Sequence, residues 1–166
     1  FHFGAFAADP SPQGPKMLER PAITIQPNVN RSQSRGYVEL RSADPGSPPV
    51  IQHNMLESRY DVDTLVEGVR FGRKLLRTAA FAPYFEGEHA PGAAVGDDAD
   101  LEAYVRANTN PCYHASGSLK MGIDPMAVVD PRLRVRGVAG LRVVDSSIIP
   151  QVPSGNINAI SMVIGT

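Results

Sequence analysis

"SRGYVELRSADPGSPPVIQHNMLESRYDVDTLVEGVRFGRKLL", residues 34–76, carries two periods in succession. Tyr37-Val38-Glu39-Leu40-Arg41 alternates apolar with polar, and Val50-Ile51 follows the turn signal Asp44-Pro45-Gly46. A period of two places side chains on opposite faces of a strand, so strands are predicted over 37–42 and 49–53. From Ser58 the period lengthens: Val62, Leu65, Val66, Val69, Gly72 and Leu76 fall on one helical face, and Ser58 with Asp61 has the spacing of a capping box. Short strands joined by such turns predict an antiparallel sheet.

The flanking sequence extends that pattern. Ile23-Thr24-Ile25-Gln26 predicts a strand over 22–26, and a shorter helix is expected from Asp98 to near Asn108 with Leu101, Tyr104 and Val105 facing inward. Arg132–Val135 and Leu141–Val144 flank Gly137-Val138-Ala139-Gly140, a spacing that predicts a hairpin with a glycine-assisted turn. Fifteen Gly and fifteen Pro cluster as punctuation at 10–15, 44–49 and 91–92. No internal repeat is present.

With 166 residues and 42% hydrophobic content, the chain can bury a core. Lys and Arg total 16 against 17 Asp and Glu, which lacks the basic excess a phosphate backbone would attract, so no nucleic-acid partner is expected. The single cysteine, Cys112, cannot form an internal disulfide, which fits a reducing compartment. A cytoplasmic protein is expected, with peripheral association at a membrane as the variant of that expectation. No apolar run reaches the length of a membrane span, and the first residues lack the basic-then-apolar order of a signal peptide. Phe1 in place of an initiator Met, and a last stretch that reads as a helix cut near its start, suggest part of a longer polypeptide.

"NPCYHASGSLKMG", residues 110–122, sets His114 before the small residues Ala115, Ser116 and Gly117, where a ligand or another backbone could approach closely. A neutral imidazole accepts protons near neutrality, so His114 suits a general base; a hydrogen-bonded structural histidine fits the same residues. Cys112 and His114 form an isolated pair with no second cluster at zinc-ligand spacing. Ser116 and Ser118 lack a Gly-x-Ser-x-Gly elbow and read as turn residues, and Cys112 reads as a small buried hydrophobe. "VVDSSIIPQVPSGNINAISMVIG", residues 143–165, ends a strand at Val144 and enters an apolar helix after Asn156 and Asn158. Asn158 suits the helix cap, leaving the first backbone N–H groups open to an electron-rich ligand or simply capped. Asn156 follows Gly155 and reads as a left-handed turn residue.

Taken together, residues 113–165, "YHASGSLKMGIDPMAVVDPRLRVRGVAGLRVVDSSIIPQVPSGNINAISMVIG", resemble the C-terminal signature of the glucose-methanol-choline (GMC) family of flavin-dependent alcohol oxidoreductases. "SRGYVELRSADPGSPPVIQHN" is similar to strands of that family's substrate domain. The departures are Leu119, Ser146 and Ile160, where the family often has Cys, Ala or Gly, and Pro.

The resemblance implies an FAD-dependent alcohol dehydrogenase or oxidase acting on a small-molecule alcohol. His114 stands at the family's catalytic histidine, and Asn156 at a second position that is His or Asn. Asp145 and Ser146 match a segment approaching the ribityl and phosphate region of FAD, and Asn158 and Ala159 one facing the pyrimidine edge of the ring. No Gly-x-Gly-x-x-Gly spacing occurs in the 166 residues, so the dinucleotide turn is expected in an N-terminal FAD-binding region outside this chain. The implied fold is α+β, an antiparallel sheet with helices packed on one side, and the implied division is 1–125, a substrate-binding domain with the catalytic-histidine loop, and 126–166, a segment completing the FAD-binding domain. An isolated chain of this kind is expected to be inactive. The competing expectation is a folded binding module without chemistry, whose cofactor-facing surface pairs with the missing region or with another copy in a homo-oligomer.

Overall fold

The computed structural model describes residues 1–9 and 13–166. Pro10-Ser11-Pro12, part of the first predicted turn cluster, lies outside the described residues. The chain divides into two compact units: Phe1–Val29 with Val62–Thr109, and Asn30–Asp61 with Asn110–Thr166. Among the described residues the elements are short antiparallel strands and three α-helices, an α+β chain.

In the first unit, β1 (His2–Gly4) pairs with β4 (Thr24–Gln26), Phe3 opposite Ile25, and β2 (Ala8–Asp9) pairs with β3 (Lys16–Met17). The predicted face of α1 (Arg59–Leu76) is the buried one: Val62, Leu65 and Val66 are core residues. Helix and ladder approach closely because Gly68 has no side chain; a Cβ there would stand 2.4 Å from Cβ of Pro27. The ring of Phe71 meets that of Phe1 at 5.5 Å. Helix α2 (Asp98–Asn108) starts where Asp97 accepts from the Asp100 N–H at 2.8 Å, and it buries Leu101 to 1% exposure and Val105. Full burial of such a side chain contributes about 1.5–3 kcal/mol. Between the helices, the Arg73 guanidinium donates to Glu88 at 2.9 and 3.1 Å and to the carbonyls of Gly92 and Val95 at 3.1 and 2.7 Å. That arrangement clamps the loop after α1.

In the second unit, β5 (Tyr37–Glu39) pairs with β6 (Val50–Gln52), Val38 opposite Ile51. The antiparallel pairing is as expected, but it is distributed over three separate two-stranded ladders, β1–β4, β2–β3 and β5–β6. The predicted hairpin at 132–144 is reduced to one antiparallel bridge, Arg134 with Arg142, supported by Val135 N–H to Leu141 O at 3.0 Å and Val143 N–H to Leu133 O at 3.1 Å. The Asp130 carboxylate explains the shortening. It draws in the N–H groups of Arg132 at 2.8 Å and Arg134 at 3.1 Å, and Leu133 between them turns to φ 63°, which interrupts an extended run. The glycine-assisted turn is present, with Gly137 and Gly140 at φ 79° and 76°.

The capping box also differs from the expectation. Asp61 is 1% exposed and its carboxylate faces Ser32, Gln33 and Ser34, while the Ser58 N–H, which a capping box would give to Asp61, donates to Ser34 Oγ at 3.0 Å. Among the described residues, no helix is long and apolar enough to cross a membrane.

Candidate active site

All six residues singled out from the sequence, His114, Asp145, Ser146, Asn156, Asn158 and Ala159, belong to the second unit. His114 lies in an irregular loop and is half-exposed. Tyr113 before it takes φ 59° and is 89% exposed, so the loop reverses sharply at the histidine. Three residues later Gly117 takes φ 85°, and a Cβ there would stand 3.0 Å from the Ile149 carbonyl. Only glycine satisfies both demands. The loop then runs along the second signature stretch: Leu119 N–H donates to Ser147 O at 3.0 Å, and Met121 N–H to Ile148 O at 2.8 Å.

The 3₁₀ turn Ser146–Ile148 is therefore the meeting point of the two motifs. Asp145 caps it, accepting from the Ser147 N–H at 2.7 Å. Ser147, by its hydroxyl and its N–H, holds the Asp145 carboxyl below its ordinary range, and slight burial opposes that. Among the described residues, Ser116 Oγ of the first motif is buried without a partner. Buried hydroxyls normally find partners, so this one marks polar capacity that the chain itself does not use.

Helix α3 (Asn158–Ile164) packs on the Ser146–Ile148 turn. Three expectations are corrected here. Asn158 is the first helical residue, and Ile157 precedes it at the cap position without a side-chain hydrogen bond. Asn158 therefore caps nothing, because the helix begins one residue earlier in register than the polar residue requires. Asn156 is absent from the positive-φ residues, so Gly155 does not force it into a left-handed turn. Asn156, Asn158, Ala159 and Asp145 are exposed, and Cys112 is exposed rather than buried because it lies in the same open loop as His114.

Sequence reasoning missed one group. Asp61 accepts from Ser32 Oγ at 2.6 Å, Gln33 N–H at 2.9 Å, Ser34 N–H at 2.8 Å and Ser34 Oγ at 2.5 Å. Burial pushes its pKa up, and the hydrogen bonds from Ser32, Ser34 and Gln33 outweigh that, so the carboxyl titrates below its ordinary range. The signal available was a cluster of short hydroxyl residues before a helix. Just outside the cluster, Arg31 Nε donates to Ser154 Oγ at 3.0 Å, joining this turn to the Asn156 segment.

The residues fit one edge of a flavin site. The exposed Asp145, Asn158 and Ala159 follow one another over a turn and the helix packed on it, and the loop bonded to that turn carries the unpartnered Ser116 hydroxyl. They do not supply a phosphate cradle, since the chain carries no Gly-x-Gly-x-x-Gly turn.

The family described as "GMC oxidoreductase" matches residues 32–165. The oxygen-dependent choline dehydrogenase of Brucella ovis is 45% identical over 137 residues, 81% of this chain and 25% of that protein. The enzyme of the same name from Yersinia pseudotuberculosis is 44% identical over 134 residues, 81% of this chain and 24% of that protein. Among solved structures, pyridoxine 4-oxidase from "Mesorbium loti" overlays 95% of this chain and 30% of its own, with a TM-score of 0.79 and 26% identity. An FAD-dependent oxidoreductase from Chaetomium thermophilum overlays 82% of this chain and 24% of its own, with a TM-score of 0.76 and 28% identity. The chain spans about a quarter of the length of the curated relatives it matches. It belongs to the GMC oxidoreductase family.

Proposed function

We propose that this chain is the C-terminal part of an FAD-dependent alcohol oxidoreductase in which His114 is the general base and Asn156 holds the substrate oxygen. The observation that carries the reading is the joining of the two signature stretches: the loop after His114 runs along Ser147–Ile148, and α3 packs on the same turn. Bound FAD would supply the hydride acceptor for the alcohol carbon at flavin N5. The imidazole of His114 takes the hydroxyl proton, and the Asn156 side-chain amide donates to the developing alkoxide, a role that needs position rather than titration. Asp145, Ser146, Asn158 and Ala159 would line the cofactor's near edge.

Residues 1–125 would serve as the substrate-binding domain with the catalytic loop, and 126–166 would complete the FAD-binding domain. An N-terminal region contributes the dinucleotide turn. A small alcohol is the substrate class, and choline is the first to test, since the relatives 44–45% identical to this chain carry that name. Without the N-terminal region the 166-residue chain should not retain FAD through gel filtration and should be inactive.

The test is stopped-flow flavin reduction in the full-length enzyme across pH. His114→Ala should slow reduction by on the order of 10²–10⁴ and flatten the acid limb, because a protonated base cannot accept the substrate proton. Asn156→Ala should slow it by roughly 10²–10³ with the acid limb retained. Near-normal reduction by His114→Ala returns His114 to a structural role. A preparation that binds no flavin at full length points instead to a binding module without chemistry.

A further inference from the structure

We propose that Arg31 is a positioning residue for Asn156, acting through Ser154. The inference rests on reading Asn156 as the group that holds the substrate oxygen. Arg31 Nε donates to Ser154 Oγ at 3.0 Å, across 123 positions of sequence and two residues before Asn156. Among the described residues, this is the only hydrogen bond that Pro150–Asn156 make, backbone or side-chain. That segment has no helix or strand of its own. Its placement therefore depends on packing and on this one polar tether.

The other end of the tether is rigid. Arg31 takes φ 58°, a left-handed conformation that side chains with a Cβ adopt at a cost, and such outliers persist where the surroundings over-determine them. The surroundings do so here. The buried Asp61 carboxylate accepts from Ser32 Oγ, Gln33 N–H, Ser34 N–H and Ser34 Oγ. Arg35 Nη1 donates to the carbonyls of Ser32 and Ser34 at 2.6 and 3.0 Å, and the Ser58 N–H ties Ser34 Oγ to the start of α1. A locked turn with a strained residue thus presents one guanidinium to an otherwise untethered segment. Arg31 is exposed, so its bond to Ser154 adds little to global stability. Its consequence is the placement of the turn, and misplacement of a reacting group by about 1 Å costs up to roughly 10² in rate.

Arg31→Ala, Arg31→Lys, Ser154→Ala and the double variant are compared in the full-length, FAD-loaded enzyme. Arg31→Ala and Ser154→Ala should each slow flavin reduction on the order of 10¹–10² with an unchanged melting temperature and acid limb. The double variant should be no slower than either single, and Arg31→Lys should recover part of the rate. Hydrogen exchange in peptides covering 150–157 should rise in Arg31→Ala, a readout independent of turnover. In an Asn156→Ala background, Arg31→Ala should have no further effect on reduction. Normal reduction by Arg31→Ala, or its full effect persisting without Asn156, overturns the proposal while leaving the Asn156 reading intact. Normal reduction by Asn156→Ala overturns both.

Discussion

The two compact units of this chain are held together by different means. The first rests on regular elements: most of α1, all of α2, core side chains such as Leu101 and Val62, and the Arg73–Glu88 clamp. The second has one short hairpin and the seven-residue α3, and it buries Leu56, Ala127, Val129, Ile148 and Ile149 among isolated bridges, Asx-type turns and hydrogen bonds to the carboxylates of Asp61, Asp130 and Asp145. Every candidate catalytic or cofactor-lining residue lies in the second. Irregular backbone can aim single side chains in ways that helix and strand periods forbid, and the polar groups it leaves unpaired by secondary structure must be satisfied by side chains. Helical packing therefore marks one unit and turn chemistry the other.

The contrast predicts where substitutions act. The largest effect is expected at Glu88: its carboxylate and the Arg73 guanidinium are 15% and 17% exposed, so Glu88→Ala leaves a largely buried charge without its counter-charge, held only by the Gly92 and Val95 carbonyls, at a cost of about 3–5 kcal/mol. Hydrogen exchange in peptides of the 86–97 loop and α2 should report that loss. Leu101→Ala follows, with about 2–5 kcal/mol from lost burial and a residual cavity. Its increased exchange should stay within Phe1–Val29 and Val62–Thr109; equal opening in the second unit would break the division.

Gly117→Ala should cost about 1–3 kcal/mol, since alanine resists φ 85° and its Cβ meets the Ile149 carbonyl at 3.0 Å. Although smaller in stability than Leu101→Ala, it should slow flavin reduction more, because it shifts the His114 loop. If Leu101→Ala proves the more damaging to reduction, the functional contrast fails.

The smallest effect is a response to acid. The lowered carboxyls of Asp61, Asp124, Asp130 and Asp145, with Asp130 at about 2, all belong to the second unit. A carboxyl whose folded pKa lies below its unfolded value near 3.8 adds stability above that value, and the gain is lost as pH falls through the folded one. Acidification from pH about 4 toward 2 should therefore weaken the second unit progressively. Asp61→Asn should reduce that pH dependence, as read by hydrogen exchange in peptides covering 30–36; an unaltered acid response would show that Asp61 does not carry it.

Periodicity made the first unit legible. The buried face of α1 and the span of α2 follow directly from the spacing of Val62, Leu65, Val66, Leu101 and Val105. Of its short ladders, only β4 was legible, from the alternation of Ile23-Thr24-Ile25-Gln26; β1, β2 and β3 were not. β2 and β3 are two residues each and contain no alternation, and β1 reads only as an apolar stretch. In the second unit the candidate residues were legible as an ordered motif, but their surroundings were not. Leu133 and the Asp130 turn shortened the 132–144 hairpin, and Ile157 displaced Asn158 from the cap. Each outcome depended on which backbone N–H a particular side-chain oxygen reached.

The sequence by itself determined the α+β class, the inward face of each long helix, and the order of residues that places the chain in the GMC oxidoreductase family. Those properties depend on hydrophobic spacing and residue order along one dimension, so they survive without coordinates. The tertiary structure alone decided that Asp61 serves Ser32–Ser34 instead of its own helix, that Gly117 closes the His114 loop on Ile149, and that Arg31 reaches Ser154. These contacts join residues 27 to 123 positions apart, and their partners are chosen by distance and direction in three dimensions, which no local pattern of residue types encodes.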